Sequence, residues 1–181
     1  LVYVGEKCAF CGSCVEACLR EARDLVGREV TAAEVMEEIR LDEVFYEESG
    51  GGVTFSGGEP LAQPDFLAEL LGACRGEGYH TAVDTSGHAD APVMDRITPL
   101  ADLFLYDLKV MDDARHREMC GVSNRKILAN LEDLARRGAA VVVRFPMIPG
   151  LNDDPENLAA MGEFAAGLPA VPPVDILPFE R

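Results

Sequence analysis

Positive charge is scarce in this 181-residue chain: 16 lysines and arginines face 32 aspartates and glutamates, leaving a formal charge of −16. That balance argues against nucleic acid as a partner, because phosphates demand a positively charged surface. Long apolar runs are missing too. No stretch approaches the ~20 residues that a membrane-spanning helix requires, although a hydrophobic content of 48% is enough for one sizeable core. Low-complexity segments are absent, and nothing resembling a secretory leader precedes the cysteines, so a disulfide framework is not expected. Histidine is rare. His80 opens an apolar run, His88 and His116 fall in expected loops or on helix surfaces, and none is expected to hold a metal. These absences leave a cytoplasmic protein with neither nucleic-acid nor membrane partners.

What the chain does have is a dense run of thiols, Cys8-x2-Cys11-x2-Cys14-x3-Cys18. Thiolates so closely spaced on a tight turn suit the corners of a 4Fe–4S cluster, and in two-cluster ferredoxins the fourth cysteine serves the other cluster. Structural zinc is the competing reading, but zinc sites usually unite two separated pairs of ligands. One detail departs from ferredoxin runs, since Leu19 stands where proline is usual. Two cysteines stand apart. Cys74 falls on an apolar helical face and reads as a small core residue, while Cys120 precedes Gly121 in an expected loop. The acidic stretch Glu34–Glu48 reads as a solvated helix face rather than a docking surface for a basic partner.

The remainder reads as repeated strand–helix units, with a boundary near Gly27 that separates residues 1–27 from residues 28–181. Thr31-Ala-Ala-Glu34 has the form of a capping box, opening a helix over residues 32–41. Strands are expected at Gly52–Phe55, His80–Asp84, Leu103–Leu108, Ala139–Phe145 and Val174–Leu177. Pro64 and Asp154-Pro155 mark helix starts, and Ile127, Leu128, Leu131, Leu134 and Ala135 fall at helical spacing before Gly138. Alternation of this kind predicts an α/β protein with a parallel sheet or barrel.

In such folds ligands bind where the strands end and the βα loops begin. Gly57-Gly58-Glu59-Pro60 follows the first strand and Asp84-Thr85-Ser86-Gly87 ends the second. Asp107-Leu108-Lys109 ends the third, and Arg144 with Pro149-Gly150 ends the fourth. Glycines admit close backbone approach to a ligand. Asp84 and Asp107 suit an ammonium group or a cation, and Lys109 suits a carboxylate, so the set fits a zwitterionic amino-acid moiety. The plainer alternatives are that Glu59 caps a turn and that Asp107 and Lys109 simply pair.

At these residues the chain resembles the radical S-adenosylmethionine (SAM) enzymes, and more narrowly the activating enzymes of glycyl radical enzymes. The resemblance rests on Gly50-Gly-Gly-Val-Thr-Phe-Ser-Gly-Gly-Glu-Pro60, His80-Thr-Ala-Val-Asp-Thr-Ser-Gly87 and Tyr106-Asp-Leu-Lys-Val-Met-Asp112. Gly27-Arg-Glu-Val-Thr31, Gly121-Val-Ser-Asn124, Ile127-Leu-Ala-Asn-Leu131, Ile148-Pro-Gly-Leu-Asn-Asp153 and Leu177-Pro-Phe179 extend it from about Cys8 to the last residue. It implies a partial TIM-like (β/α) barrel with a small ferredoxin-like segment. It also implies SAM and 4Fe–4S cofactors, reductive cleavage of SAM to a 5′-deoxyadenosyl radical, and hydrogen abstraction from a glycine of a partner glycyl radical enzyme. A flavodoxin or ferredoxin-type donor would supply the electron. Gly57, Gly58 and Glu59 would lie against the methionyl amino group, and Asp84 and Asp107 would fix that group or a nearby monovalent cation. Leu108 belongs to the same loop, Lys109 would reach the SAM carboxylate or ribose, and Arg144 would support the rim. Cys8, Cys11, Cys14 and Cys18 would hold an auxiliary cluster.

Two departures qualify this picture. The family's C-x3-C-x2-C motif for the SAM cluster is not in the sequence, nor is the first barrel strand, so a fragment of a longer protein is expected. Glu180 stands where histidine usually follows Leu-Pro-Phe, and a carboxylate does not mimic imidazole near a nucleoside. The alternative reading is an iron–sulfur electron-transfer or scaffold protein without radical chemistry.

Overall fold

The computed structural model describes residues 9, 11–20, 22–24 and 27–179. It divides into two compact units, Leu1–Thr31 and Ala32–Arg181. Among the described residues of the first, a short helix, α1 (Ser13–Glu16), follows Gly12.

The second unit opens with α2 (Ala32–Arg40), immediately after Thr31, and α3 (Glu43–Ser49). The acidic stretch is therefore two helices, separated at Leu41-Asp42. From there strands and helices alternate: β1 (Gly52–Phe55), α4 (Pro64–Glu77), β2 (His80–Thr85), α5 (Ala91–Ile97) and β3 (Leu103–Asp107). They continue through α6 (Asp113–Cys120), α7 (Arg125–Arg136), β4 (Val141–Met147), α8 (Pro155–Ala166) and β5 (Val174–Pro178). The five strands form one sheet in sequence order, every neighbouring pair parallel. The sheet is open, a partial barrel.

Local chemistry explains the boundaries. Pro64 supplies the fixed φ of a first helical turn, and Asp154 caps α8 by accepting from the Asn157 amide at 2.9 Å. Asp112 does the same for α6 through the Arg115 amide at 2.8 Å. One face of the sheet carries Val83, Phe104, Tyr106, Val143 and Phe145, all essentially inaccessible to water. They pack with Leu71 of α4, Ile97 of α5 and Leu131 and Leu134 of α7. Each such large side chain contributes roughly 1.5–3 kcal/mol by burial, so this layer supplies most of the driving force.

A smaller cluster joins α2 to α4. Met36 and Ile39 meet Cys74 and Tyr79, with Tyr46 edge-on to Tyr79 at a ring separation of 5.5 Å. Cys74 is the core residue expected of it: it is fully buried, and burial pushes its thiol up to about 11. Two expectations need correction. His116 is buried rather than on a surface, and its Nδ1 finds a partner there in the Val122 carbonyl at 2.7 Å. Cys120 is the last residue of α6, where Gly121 caps the helix, and not a loop residue.

Candidate functional site

Because the strands are parallel, β1 to β4 deliver their following loops to one edge of the sheet. Residues that are cross-strand partners share a face, and Asp107 is paired with Arg144, Asp84 with Leu105. Since Val83, Phe104, Tyr106, Val143 and Phe145 occupy the helix-covered face, the alternation of strands turns Asp84, Asp107 and Arg144 to the opposite, open one.

There the Arg144 guanidinium joins the strands. It donates through Nε and Nη2 to Asp107 Oδ1 at 3.0 and 2.8 Å, and through Nη2 to Asp84 Oδ1. Side-chain exposures of 21% for Arg144, 20% for Asp84 and 17% for Asp107 put this bridge between core and solvent. Ser56 donates to the second oxygen of Asp84 at 2.9 Å, and Lys109 Nζ lies 3.3 Å from the second oxygen of Asp107. Asp107 and Lys109 therefore pair. Lys109 keeps 39% side-chain exposure and so stays open to a further anion. Leu108 turns inward to the helix-covered core, which anchors this loop.

Glu59 is held differently. Its Oε1 accepts from the Leu61 amide at 3.1 Å, capping a single 3-10 turn at Pro60–Ala62, and from the Thr85 hydroxyl at 2.6 Å. Its Oε2 accepts from the Ser86 amide at 3.0 Å and hydroxyl at 2.6 Å. The carboxylate ties the β1 loop to the β2 loop and has no oxygen left over as a primary ligand contact. Gly57 and Gly58 remain: a Cβ at either would meet nothing within 4 Å, and Gly57 has φ +125°, a backbone that side-chain-bearing residues rarely adopt. Bare, exposed peptide thus follows β1. Three carboxylates against two cations leave this rim with one net negative charge. That matches a ligand carrying an ammonium, a sulfonium and one carboxylate, so the donor set fits SAM by type and sign.

The thiols form a separate question. Cys11 and Cys14 are exposed and Cys18 is half-buried, and all three are free; Cys8 lies outside the described residues, as does Glu180. The Ser13 hydroxyl and amide hold the Cys11 thiol below its ordinary range. Backbone amides of Ala22 and Arg20, then the charge of Arg23, do so for Cys18. A lowered thiol is readier to become the thiolate that binds metal. Soft donors of this kind fit an iron–sulfur cluster, although among the described residues no three His, Cys, Asp or Glu side chains are gathered as a metal site. No described helix is long and apolar enough to cross a membrane.

Several residues at the rim had no role of their own in the sequence reading. Ser56, Thr85 and Ser86 complete the carboxylate contacts, and the buried Asn124, Asn130, Asn152 and Asn157 staple loops through backbone groups. Asn130 offered a signal, since it falls among the apolar positions of α7, where a polar side chain must find partners.

The sequence profile of the Radical SAM superfamily matches residues 5–161. The chain is 43% identical over 213 aligned residues to the trans-4-hydroxy-L-proline dehydratase activating enzyme of Clostridioides difficile, covering 100% of this chain and 70% of that protein. It is 42% identical to the isethionate sulfite-lyase activating enzyme of Oleidesulfovibrio alaskensis, covering 96% of this chain and 57% of that one. The chain thus spans between 57% and 70% of the length of these two relatives. Among solved structures, a domain of pyruvate-formate lyase-activating enzyme from Bacteroides vulgatus superposes with a TM-score of 0.68 at 40% identity, covering 72% of this chain and 81% of that domain. Sequence, fold and relatives agree: the chain belongs to the radical SAM superfamily, among the activating enzymes of glycyl radical enzymes, a family that works with a 4Fe–4S cluster and SAM.

Proposed function

We propose that this chain supplies the SAM-binding rim of a cytoplasmic activating enzyme whose protein substrate is a glycyl radical enzyme. The observation that carries the reading is the convergence of Gly57–Gly58, Asp84, Asp107, Lys109 and Arg144 at one edge of a parallel sheet. In this reading the bare peptide at Gly57 and Gly58 receives the methionyl ammonium. The carboxylates Asp84 and Asp107, held apart and partly neutralised by Arg144, set the negative field around it or around a monovalent cation. Lys109 turns from Asp107 to the SAM carboxylate or ribose. Glu59 acts through the loops it ties. The bound cofactors supply the one-electron chemistry, while the protein contributes orientation, electrostatics and exclusion of water.

The run Cys8, Cys11, Cys14 and Cys18 is assigned to an auxiliary iron–sulfur cluster in residues 1–27, with residues 28–181 forming the barrel part. A flavodoxin or ferredoxin-type protein is assigned as electron donor. Glu180 takes the position of a nucleoside contact.

The test uses the full-length protein, reconstituted without oxygen, reduced, and mixed with SAM and a candidate glycyl radical enzyme. The expected result is methionine and 5′-deoxyadenosine in equal amounts together with a glycine-centred radical in the partner by electron paramagnetic resonance. Iron and sulfide bound to the chain with no consumption of SAM would sink the reading in favour of an electron-transfer protein.

A further inference from the structure

Lys109 lies just beyond the last residue of β3, where the strand ladder no longer fixes the backbone. Two buried asparagines take over. The Lys109 carbonyl accepts from Asn152 Nδ2 at 3.0 Å and from Asn157 Nδ2 at 3.2 Å, so both its lone pairs are used. Asn157 Oδ1 accepts from the Met111 amide at 2.8 Å, which grips the same segment two residues on. The remaining proton of the Asn157 amide goes to the Asn152 carbonyl at 3.0 Å. Asn152 completes its own set with the Pro146 carbonyl at 2.8 Å and the Ile148 amide at 2.7 Å. Exposures of 2% for Asn152 and 4% for Asn157 mean that no water competes for these bonds. The pair therefore references the Lys109 backbone both to the end of β4 and to the first turn of α8.

A flexible four-carbon side chain gains precision only if its Cα is fixed. We propose that Asn157, with Asn152, is a positioning residue for Lys109, setting where its ammonium stands above Asp107 and hence the affinity for the carboxylate end of SAM. The inference rests on the assignment of Lys109 to SAM made above. Neither asparagine touches the cofactor; each acts through the lysine it holds.

This distinguishes positioning from mere support of the fold. In the full-length, cluster-reconstituted protein, SAM affinity is measured by anaerobic calorimetry for wild type, Asn157→Ala, Lys109→Ala and the double variant. The expected pattern is roughly tenfold weaker binding for Asn157→Ala, and less than a twofold further effect of that substitution once Lys109 is alanine, as coupled residues behave. Hydrogen exchange at the Met111 amide accelerates in both Asn157 variants. An equal loss of affinity in both backgrounds, or no loss in either, overturns the inference while leaving the Lys109 assignment standing. Unchanged affinity for Lys109→Ala alone overturns that assignment and the inference with it. Should Asn157→Ala fail to fold, Asn157→Ser and Asn152→Ser, which lose donors but keep a small polar group, carry the same four-way comparison.

Discussion

Substituting Gly87 by alanine confronts two constraints at one atom. Gly87 has φ +71°, a conformation that costs an L-residue roughly 1–2 kcal/mol. A Cβ there would stand 1.7 Å from the Tyr106 hydroxyl and 2.0 Å from its Cζ, deep inside any permitted contact. The ring has little room to yield. Tyr106 is fully buried, and its hydroxyl donates to the Ile127 carbonyl at 2.6 Å. Overpacking of this kind costs about 1–3 kcal/mol, which with the backbone strain gives roughly 2–5 kcal/mol. For a domain of this size that is a fall in Tm of roughly 5–15 °C. Urea and thermal unfolding followed by circular dichroism measure it directly. A companion cycle isolates the clash: trimming the ring with Tyr106→Leu is costly alone, but Gly87→Ala added to it should be cheaper by about 1–3 kcal/mol than in the wild type. Gly87→Ala within about 0.5 kcal/mol of wild type, or full additivity in the cycle, would refute the packing described for Tyr106.

Other outcomes follow from the same contacts. Glu59→Ala strips acceptors from Leu61, Thr85 and Ser86 at once, and about 2–4 kcal/mol of stability should go with them, read from the urea midpoint. Arg144→Met leaves Asp84 without a cation and Asp107 with Lys109 alone, the two carboxylates no longer bridged. Partial exposure limits the loss to about 1–3 kcal/mol, and raising the salt concentration should recover part of it in parallel unfolding curves. Cys74 is protonated in the fold up to about 11, against 9.0 when free. Its contribution is therefore complete below pH ~9 and lost as the pH rises from there through ~11, while at pH 8 a thiol reagent should modify exposed Cys120 and spare Cys74 unless urea is present. Asp113 is held below its ordinary value first by the Ser123 hydroxyl and, more weakly, by Arg117. Stability present above pH ~4 should fall on further acidification, and Ser123→Ala should shrink that fall.

The strands were legible because each is a short apolar run closed by glycine, aspartate or proline, and because Pro64 and Asp154-Pro155 announce helix starts. Edges moved by a residue or two: β2 reaches Thr85, β3 stops at Asp107, and β4 begins at Val141, because pairing with neighbours and not composition sets where a ladder ends. The end of α2 was placed within one residue, at 41 against Arg40, but α3 was not expected, because its acidic composition read only as solvated surface. At the rim, the loops and their charged residues could be read from position alone. The sharing of Arg144 between two aspartates could not, because it depends on register across three strands. His116 and the buried asparagines other than Asn130 were hidden for the same reason: their partners are backbone groups, which leave no trace in side-chain composition.

The double grip of Glu59 has a mechanical consequence. The segment after β1 is exposed and holds two adjacent glycines, a composition that leaves the backbone many conformations. By fastening that segment to Thr85 and Ser86, Glu59 ties the Gly57–Gly58 peptide to the end of β2, a strand paired on both sides. The two loops breathe as a single body, and the glycine pair inherits a rigidity that its own composition would never provide.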